Sequence, residues 1–591
     1  MKKIWTILVG ILSVTGVMAI LLAVALGFAL AHLADMKPPA LPERIVLDID
    51  LNQGVIDQAP TQTPFHAFAK SHGALLLQDI VEALDGAKSD PRVKAVNLRL
   101  GMSEMGLGQA QEIRDALMRF KSSGKYIQSF AESFGEFGGG TIDAYIASSA
   151  DAIWMQPSGD MGMTGFSAQV PFIKGSLDLL GIKPEFQRRH EYKSAVETFT
   201  EKSMTAESRA SITSLLDSFM QQVTTGLAEG RKLTPETVKR LIDQAPLGGQ
   251  EALEAKLIDH LGYEDEADAA MDAKFPDASF VDVADYLNAA DRLYDKGKHK
   301  IAVIHALGPV VSGSGGGQPF DGSQMTVAGE MQEAIADALD DEDVAAIILR
   351  IDSPGGSYLA SDTIWRAVAM ARQEGKPVIA SIGGMAASGG YFIAMGADRI
   401  VAAPGAITGS IGVFAGKMVM TDFLAKLGLS FDEVDVGANA GLLSMNRSFT
   451  PAQQAKMTAM LDRIYDDFTT KAGQGRKMDQ QAMDKVARGR IFTGEQALKA
   501  GLIDELGGFQ EALSAAKRAA KLPDDAKVQL VYLPKPLSPL EKLASLLDSG
   551  ELPLGLQSLA RLANSLQTMS AKLGFADSAG VASMPPVKIR Y

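Results

Sequence analysis

Apolar runs bounded by turn residues recur along the chain, and the first is the longest. After Met1, Lys2 and Lys3, residues 4–31 carry no charged side chain. A membrane-spanning helix needs roughly 20 such residues, so this run predicts a transmembrane anchor over 4–31. Two lysines precede it and Asp35 follows. The positive-inside bias then keeps residues 1–3 in the cytoplasm and sends the body of the chain to the periplasm. A cleavable signal peptide is the rival reading, because Ala29, Leu30 and Ala31 have the small-x-small form of a cleavage site. The run is longer than the roughly 7–15 residues of a usual signal-peptide core, which favours an uncleaved anchor.

Behind this segment short apolar stretches alternate with helical ones, and one order of signals occurs twice, about 250 residues apart. Residues 92–100 and 343–351 read as strands flanked by turn residues. Each is followed by a helical stretch and then by a helix stop leading into another strand, at 123–127 and at 374–378. Next come the matching segments 150–153 and 397–400, then 252–259 and 497–504. Buried strands alternating with helices predict a parallel α/β architecture in each copy. The copies are placed at 44–290 and 299–535. The glycine-rich stretch 312–317 falls inside the second copy and reads as a mobile loop rather than a linker between them. In the tail, 536–591, Leu540, Leu543, Leu546 and Leu547 stand at helical spacing, which predicts a helix for packing or oligomer contact.

Composition narrows the chemistry. The chain has 591 residues, 46% apolar and 22% charged, which suits at least two globular units. Its 57 basic and 71 acidic residues leave a net charge of −14, with no basic run to hold phosphates, so nucleic acid is not an expected partner. There is no cysteine, and the histidines are His32, His66, His72, His190, His260, His299 and His305, without an HExxH pairing. Thiolate chemistry is excluded, and a catalytic zinc is not expected.

Ser388 is the first candidate for chemistry. Residues 377–382 read as a strand, residues 383–391 as a glycine-rich turn, and an apolar helix follows. Small neighbours let a substrate backbone approach, and a helix start offers N–H groups and partial positive charge to an oxyanion. A serine in that place is most commonly an N-cap, and the turn alone leaves both readings open. The segment from Asp352 to Ser357 places Pro354, Gly355 and Gly356 after another buried strand. Its exposed N–H groups offer a second wall to an oxyanion hole.

A nucleophilic serine needs a base, yet no histidine follows His305, so a Ser…Asp…His order within this half is impossible. Lysine serves when burial brings its pKa down from about 10.4. Lys193, beside Ser194, Ala195 and Val196, is the candidate; a solvated surface lysine is the plain alternative. Its counterpart in the second copy falls near Ala438, and the counterpart of Ser388 falls near Thr141 to Asp143, where the Ala-Ser-Gly-Gly turn is missing. Each copy lacks what the other retains. A single dyad shared between the halves gives that pattern, and so does drift in a non-catalytic duplicate.

With the residues Tyr192 to Glu197, Asp352 to Gly356, Ala387 to Tyr391 and Thr408 to Gly412, together with the apolar N-terminus and the duplication, the chain resembles the long, duplicated form of the bacterial signal peptide peptidase A family. The resemblance covers nearly the whole length. It implies two tandem repeats of the crotonase and Clp-protease fold, anchored in the inner membrane as a single-pass protein. It also implies a Ser388/Lys193 dyad that cleaves signal peptide remnants, and a homo-oligomer, a tetrameric bowl with the catalytic residues inside. Gly355, Gly356 and Gly389 are the oxyanion-hole candidates. No metal or organic cofactor is expected, since acyl transfer by serine requires none. The chain has Asp352 where Asn is also common in the family. Two rival functions remain: a crotonase-like acyl-CoA enzyme, which accounts poorly for the anchor and for Lys193, and a non-catalytic membrane scaffold.

Overall fold

The computed structural model describes residues 40–57, 74–136, 138–290, 292–294, 297–313, 324–534, 581–583 and 588–590. The expected anchor at 4–31, the glycine-rich loop beyond Gly313 and the leucine-spaced stretch after Pro536 lie outside the described residues. Among the described residues no helix is long and apolar enough to cross a membrane.

Two sheets share one strand order. The first runs His260–Leu261, Ala152–Met155, Tyr126–Ala131, Val93–Arg99, Ile45–Asp50 and Ser279–Asp282, with every neighbour parallel. The second runs Glu505–Leu506, Arg399–Ala402, Val378–Ala387, Val344–Ser353, His299–Leu307 and Val528–Leu533, again parallel throughout. Central strands covered on both faces are apolar without alternation. Accordingly Ile301, Ala302, Val303 and Ile304 are all fully buried, as are Ala346, Ile347, Ile348 and Leu349.

The duplication extends to single hydrogen bonds. Asp151 Oδ2 accepts from Ile127 N and Asp398 Oδ2 from Val378 N, both at 2.9 Å. Asp259 and Asp504 repeat this one strand on, accepting from Ile153 N and Ile400 N. Each of those carboxylates also receives an arginine fork, from Arg231 and from Arg476. The two arginines end the paired helices Ala206–Arg231 and Pro451–Arg476. Both helices start at a threonine cap, Thr205 or Thr450, and stop at a left-handed lysine, Lys232 or Lys477. A side-chain cap contributes about 1 kcal/mol, so these pairs fix helix ends against strand ends in the same way in both halves.

The halves are joined by a buried ionic cluster. The Arg350 guanidinium donates to Asp57 Oδ1 at 2.7 and 2.9 Å, to Glu112 Oε1 at 2.7 Å and to Ser381 Oγ at 3.1 Å. Glu112 Oε2 accepts from Phe509 N, and Gln111 Oε1 from Gly405 N. The copies also touch where a Cβ on Gly108 would come within 2.0 Å of Gly383 O, so no larger residue fits. A second junction is an antiparallel ribbon of Lys183–Arg189 from the first copy and Val413–Val419 from the second.

The turn expected at 383–391 begins later than its glycines suggested. The strand continues through Ala387, and the helix Gly389–Ala394 follows at once. The glycines are there because their neighbours fill the space: a Cβ on Gly383 would lie 2.2 Å from the Arg350 guanidinium, and one on Gly384 would lie 2.7 Å from Asp352 Oδ2. The tail, expected to be helical, is extended wherever it is described, at Val581–Ser583 and Lys588–Arg590. Val581 and Ile589 favour strands, and Pro585-Pro586 between the two segments cannot continue a helix.

Candidate active site

The site is assembled at the ribbon between the halves. Ser388 stands where the Val378–Ala387 strand turns into the Gly389–Ala394 helix, with φ +54 and ψ −113. A non-glycine residue in that region is strained, and such strain persists only where surrounding bonds over-determine it. Here the Ser388 N–H donates to Gly409 O, and Ser388 O accepts from Phe392 N, each at 2.8 Å. The hydroxyl makes no capping bond to the helix, which removes the plain N-cap reading.

Lys193 Nζ lies 2.7 Å from Ser388 Oγ and 3.0 Å from both the carbonyl oxygen and the hydroxyl of Ser410. All three side chains are buried, Lys193 at 1% exposure, so it is not a solvated surface lysine. Burial alone lowers its pKa from 10.5 to about 7. A neutral amine has two N–H donors and one lone pair. The two Ser410 oxygens satisfy the donors, which leaves the lone pair for the Ser388 hydroxyl.

The segment carrying Lys193 belongs to the first copy but is held by the second. Arg488 forks onto Glu191 at 2.8 and 2.9 Å, while Arg490 donates to Tyr192 Oη at 2.7 Å and stacks 3.9 Å over its ring. On the other side Arg188 donates to the buried Glu197 at 2.6 Å. Gly489 packs so closely that a Cβ would come within 2.4 Å of Lys193 N. His190 lies edge-on to Tyr465, and no contact links it to Ser388.

The three glycine candidates are not equivalent. Gly355, with φ +98, needs glycine's conformational freedom, and its N–H donates to Ser353 Oγ at 3.2 Å. Gly356 and Gly389 face each other closely: a Cβ on Gly389 would lie 2.9 Å from Gly356 N. Beneath them burial and the neighbouring Asp57 carboxylate push Asp352 up to about 7. Asp57 itself is held below the usual carboxylate range, because Arg350 outweighs its burial.

Sequence reasoning brought Lys193 and Ser388 forward separately, and the fold puts them in contact within one chain. It missed Ser410, although Thr408 to Gly412 stood among the residues carrying the resemblance. The usable signal was another serine bracketed by glycines, Gly409 and Gly412; Ser410 adopts φ +55. Arg488 and Arg490 gave no signal, because their partners Glu191 and Tyr192 lie almost 300 residues earlier, at separations of 297 and 298.

A duplicated α/β fold with a buried serine and lysine in contact, and no histidine at the serine, defines the serine peptidase class. Comparison with known proteins supplies the family. The peptidase family S49 model matches residues 120–275 and 370–523, and the Clp protease model matches residues 323–406. The chain is 32% identical to a chloroplastic serine protease SPPA of Arabidopsis thaliana, over 81% of this chain and 70% of that protein. It is 33% identical to protease 4 of Salmonella typhi, over 76% of this chain and 72% of that one. The figure for protease 4 of Haemophilus influenzae is 31%, over 76% and 74%. The chain belongs to peptidase family S49 and is a serine peptidase.

Proposed function

We propose that Ser388 and Lys193 form the catalytic dyad of a membrane-anchored endopeptidase that degrades cleaved signal peptides. The observation that carries this reading is the buried 2.7 Å contact between an amine lowered to about pKa 7 and a serine hydroxyl held on a strained turn. In the reaction Ser388 Oγ attacks the scissile carbonyl carbon while its proton passes to Lys193 Nζ. The oxyanion forms against the N–H groups of Gly356 and Gly389. Collapse expels the amine with the lysine's proton and leaves an acyl ester on Ser388. Water, deprotonated by Lys193, then releases the acid.

Apolar peptides are the substrate class, in keeping with the printed description of a relative as a signal peptide peptidase in Enterococcus faecium. The uncharged run 4–31 supports a single-pass anchor in the inner membrane with the body in the periplasm. Assembly as a homotetramer belongs to the same reading. An acyl-CoA enzyme of related fold is the competing function, and substrates separate the two. The full chain is expected to hydrolyse a fluorogenic apolar peptide and to leave acyl-CoA thioesters intact. Thioester turnover without peptide hydrolysis would reject the peptidase mechanism.

A further inference from the structure

The short strand Gly355–Ser357 forms one wall of the site, and it is not a free edge. On one side it meets Val310, parallel. On the other it pairs antiparallel with the chain's own C-terminal segment, Gly355 opposite Ser583, Gly356 opposite Ala582 and Ser357 opposite Val581. The same C-terminal strand runs close to Val413–Val419, the ribbon strand that follows Ser410. The tail therefore lies between the two walls that flank Ser388. Seven residues on from Val581, Lys588–Arg590 pairs antiparallel with Ser167–Gln169 of the first copy, so the tail is held on both halves.

From this pairing we infer that residues 581–583 occupy the cleft in which peptide substrates bind, so that the chain carries its own competing ligand. The inference rests on the assignment of Ser388 as nucleophile. An extended segment added to a sheet edge is recognised through its main chain, which is how a peptidase can accept many sequences. Val581, Ala582 and Ser583 are small or β-branched and suit a strand laid on two glycines. The ligand class this assigns to the cleft is an extended peptide running antiparallel to Gly355–Ser357.

A tethered ligand meets its site at an effective concentration on the order of 0.1–1 mM. If its intrinsic Kd lies between that value and about tenfold below it, the tail covers the cleft from half to about nine-tenths of the time. Ending the chain at Ser578 should then raise kcat/KM for a short apolar peptide about two- to tenfold, through KM. A synthetic peptide with residues 578–591 should inhibit the shortened chain competitively. In the full chain Ala582→Pro, which removes a strand N–H, should release activity in the same way and covers the case in which the shortened chain fails to fold. Unchanged or lowered kcat/KM in both variants, with no inhibition by the peptide, would overturn the inference. Ser388→Ala separates the two layers: if it retains activity the site assignment fails, whereas an inactive Ser388→Ala beside unresponsive tail variants rejects the tail alone.

Discussion

Placing a carboxylate beside Lys193 should move the pH dependence of hydrolysis by a calculable amount. Ser410 is the position to use, because its Oγ lies 3.0 Å from Lys193 Nζ and its φ of +55 is one that Asp and Asn tolerate better than most residues. A unit charge about 4 Å from the amine, at an effective dielectric near 20, favours the ammonium by ~4 kcal/mol. At 1.36 kcal/mol per unit this raises the pKa by about 3. In the wild type the amine is lowered to about 7, so half of the chains hold it neutral at that pH. Ser410→Asp should shift the acidic limb of kcat/KM from near pH 7 to near pH 10 and reduce activity at pH 7 by about 10³-fold. Ser410→Asn, of equal size and uncharged, should keep its limb near pH 7. The assay is kcat/KM for a fluorogenic apolar peptide from pH 5 to 10.5, with circular dichroism to confirm folding. A folded, active Ser410→Asp chain whose limb stays near pH 7 would show that the titrating group is not Lys193.

Two further outcomes concern stability. Lys193 is lowered on folding, so between about pH 7 and 10.5 the unfolded chain binds a proton that the folded chain does not, and stability rises with pH across that window. Lys193→Met removes this dependence; in thermal melts it should gain on wild type at pH 7, with the gain shrinking towards pH 10. A constant difference across that range would refute the buried-amine assignment. Arg350→Ala strands Asp57 and Glu112 as buried, unpaired carboxylates at the junction of the halves. Breaking such a cluster costs about 3–5 kcal/mol, so the melting temperature should fall clearly. An unchanged melt would mean that the cluster does not hold the halves together.

Much of the architecture was legible because parallel strands buried on both faces leave unbroken apolar runs, and because those runs occur twice. Val93–Arg99 and Val344–Ser353 lie where residues 92–100 and 343–351 pointed. The second strand runs on to Ser353 because its register shifts after Ile351 to meet Ala386. Less could be read where function concentrates. The Lys183–Arg189 strand alternates poorly and pairs with residues 230 positions later, so its hydrogen-bonding partner leaves no local trace. Lys193 looked like any surface lysine because the groups that bury it, Gly412 and Gly489, come from the other copy. Gly383 and Gly384 suggested an early turn, and only the positions of Arg350 and Asp352 explain why a strand there requires glycine. The tail misled through its leucine spacing, whereas its last residues form strands through pairing with both halves.

The central claim is that one chain supplies both members of the dyad, the lysine from its first half and the serine from its second. Hydrolysis of a fluorogenic apolar peptide by full-length Ser388→Ala, by Lys193→Ala and by the two co-expressed tests it most directly. The account predicts that each variant is assembled but inactive and that co-expression restores nothing, because neither chain carries a complete site. Full activity in Lys193→Ala would contradict the assignment of the base, and recovered activity in the mixed assembly would contradict a dyad formed within one chain.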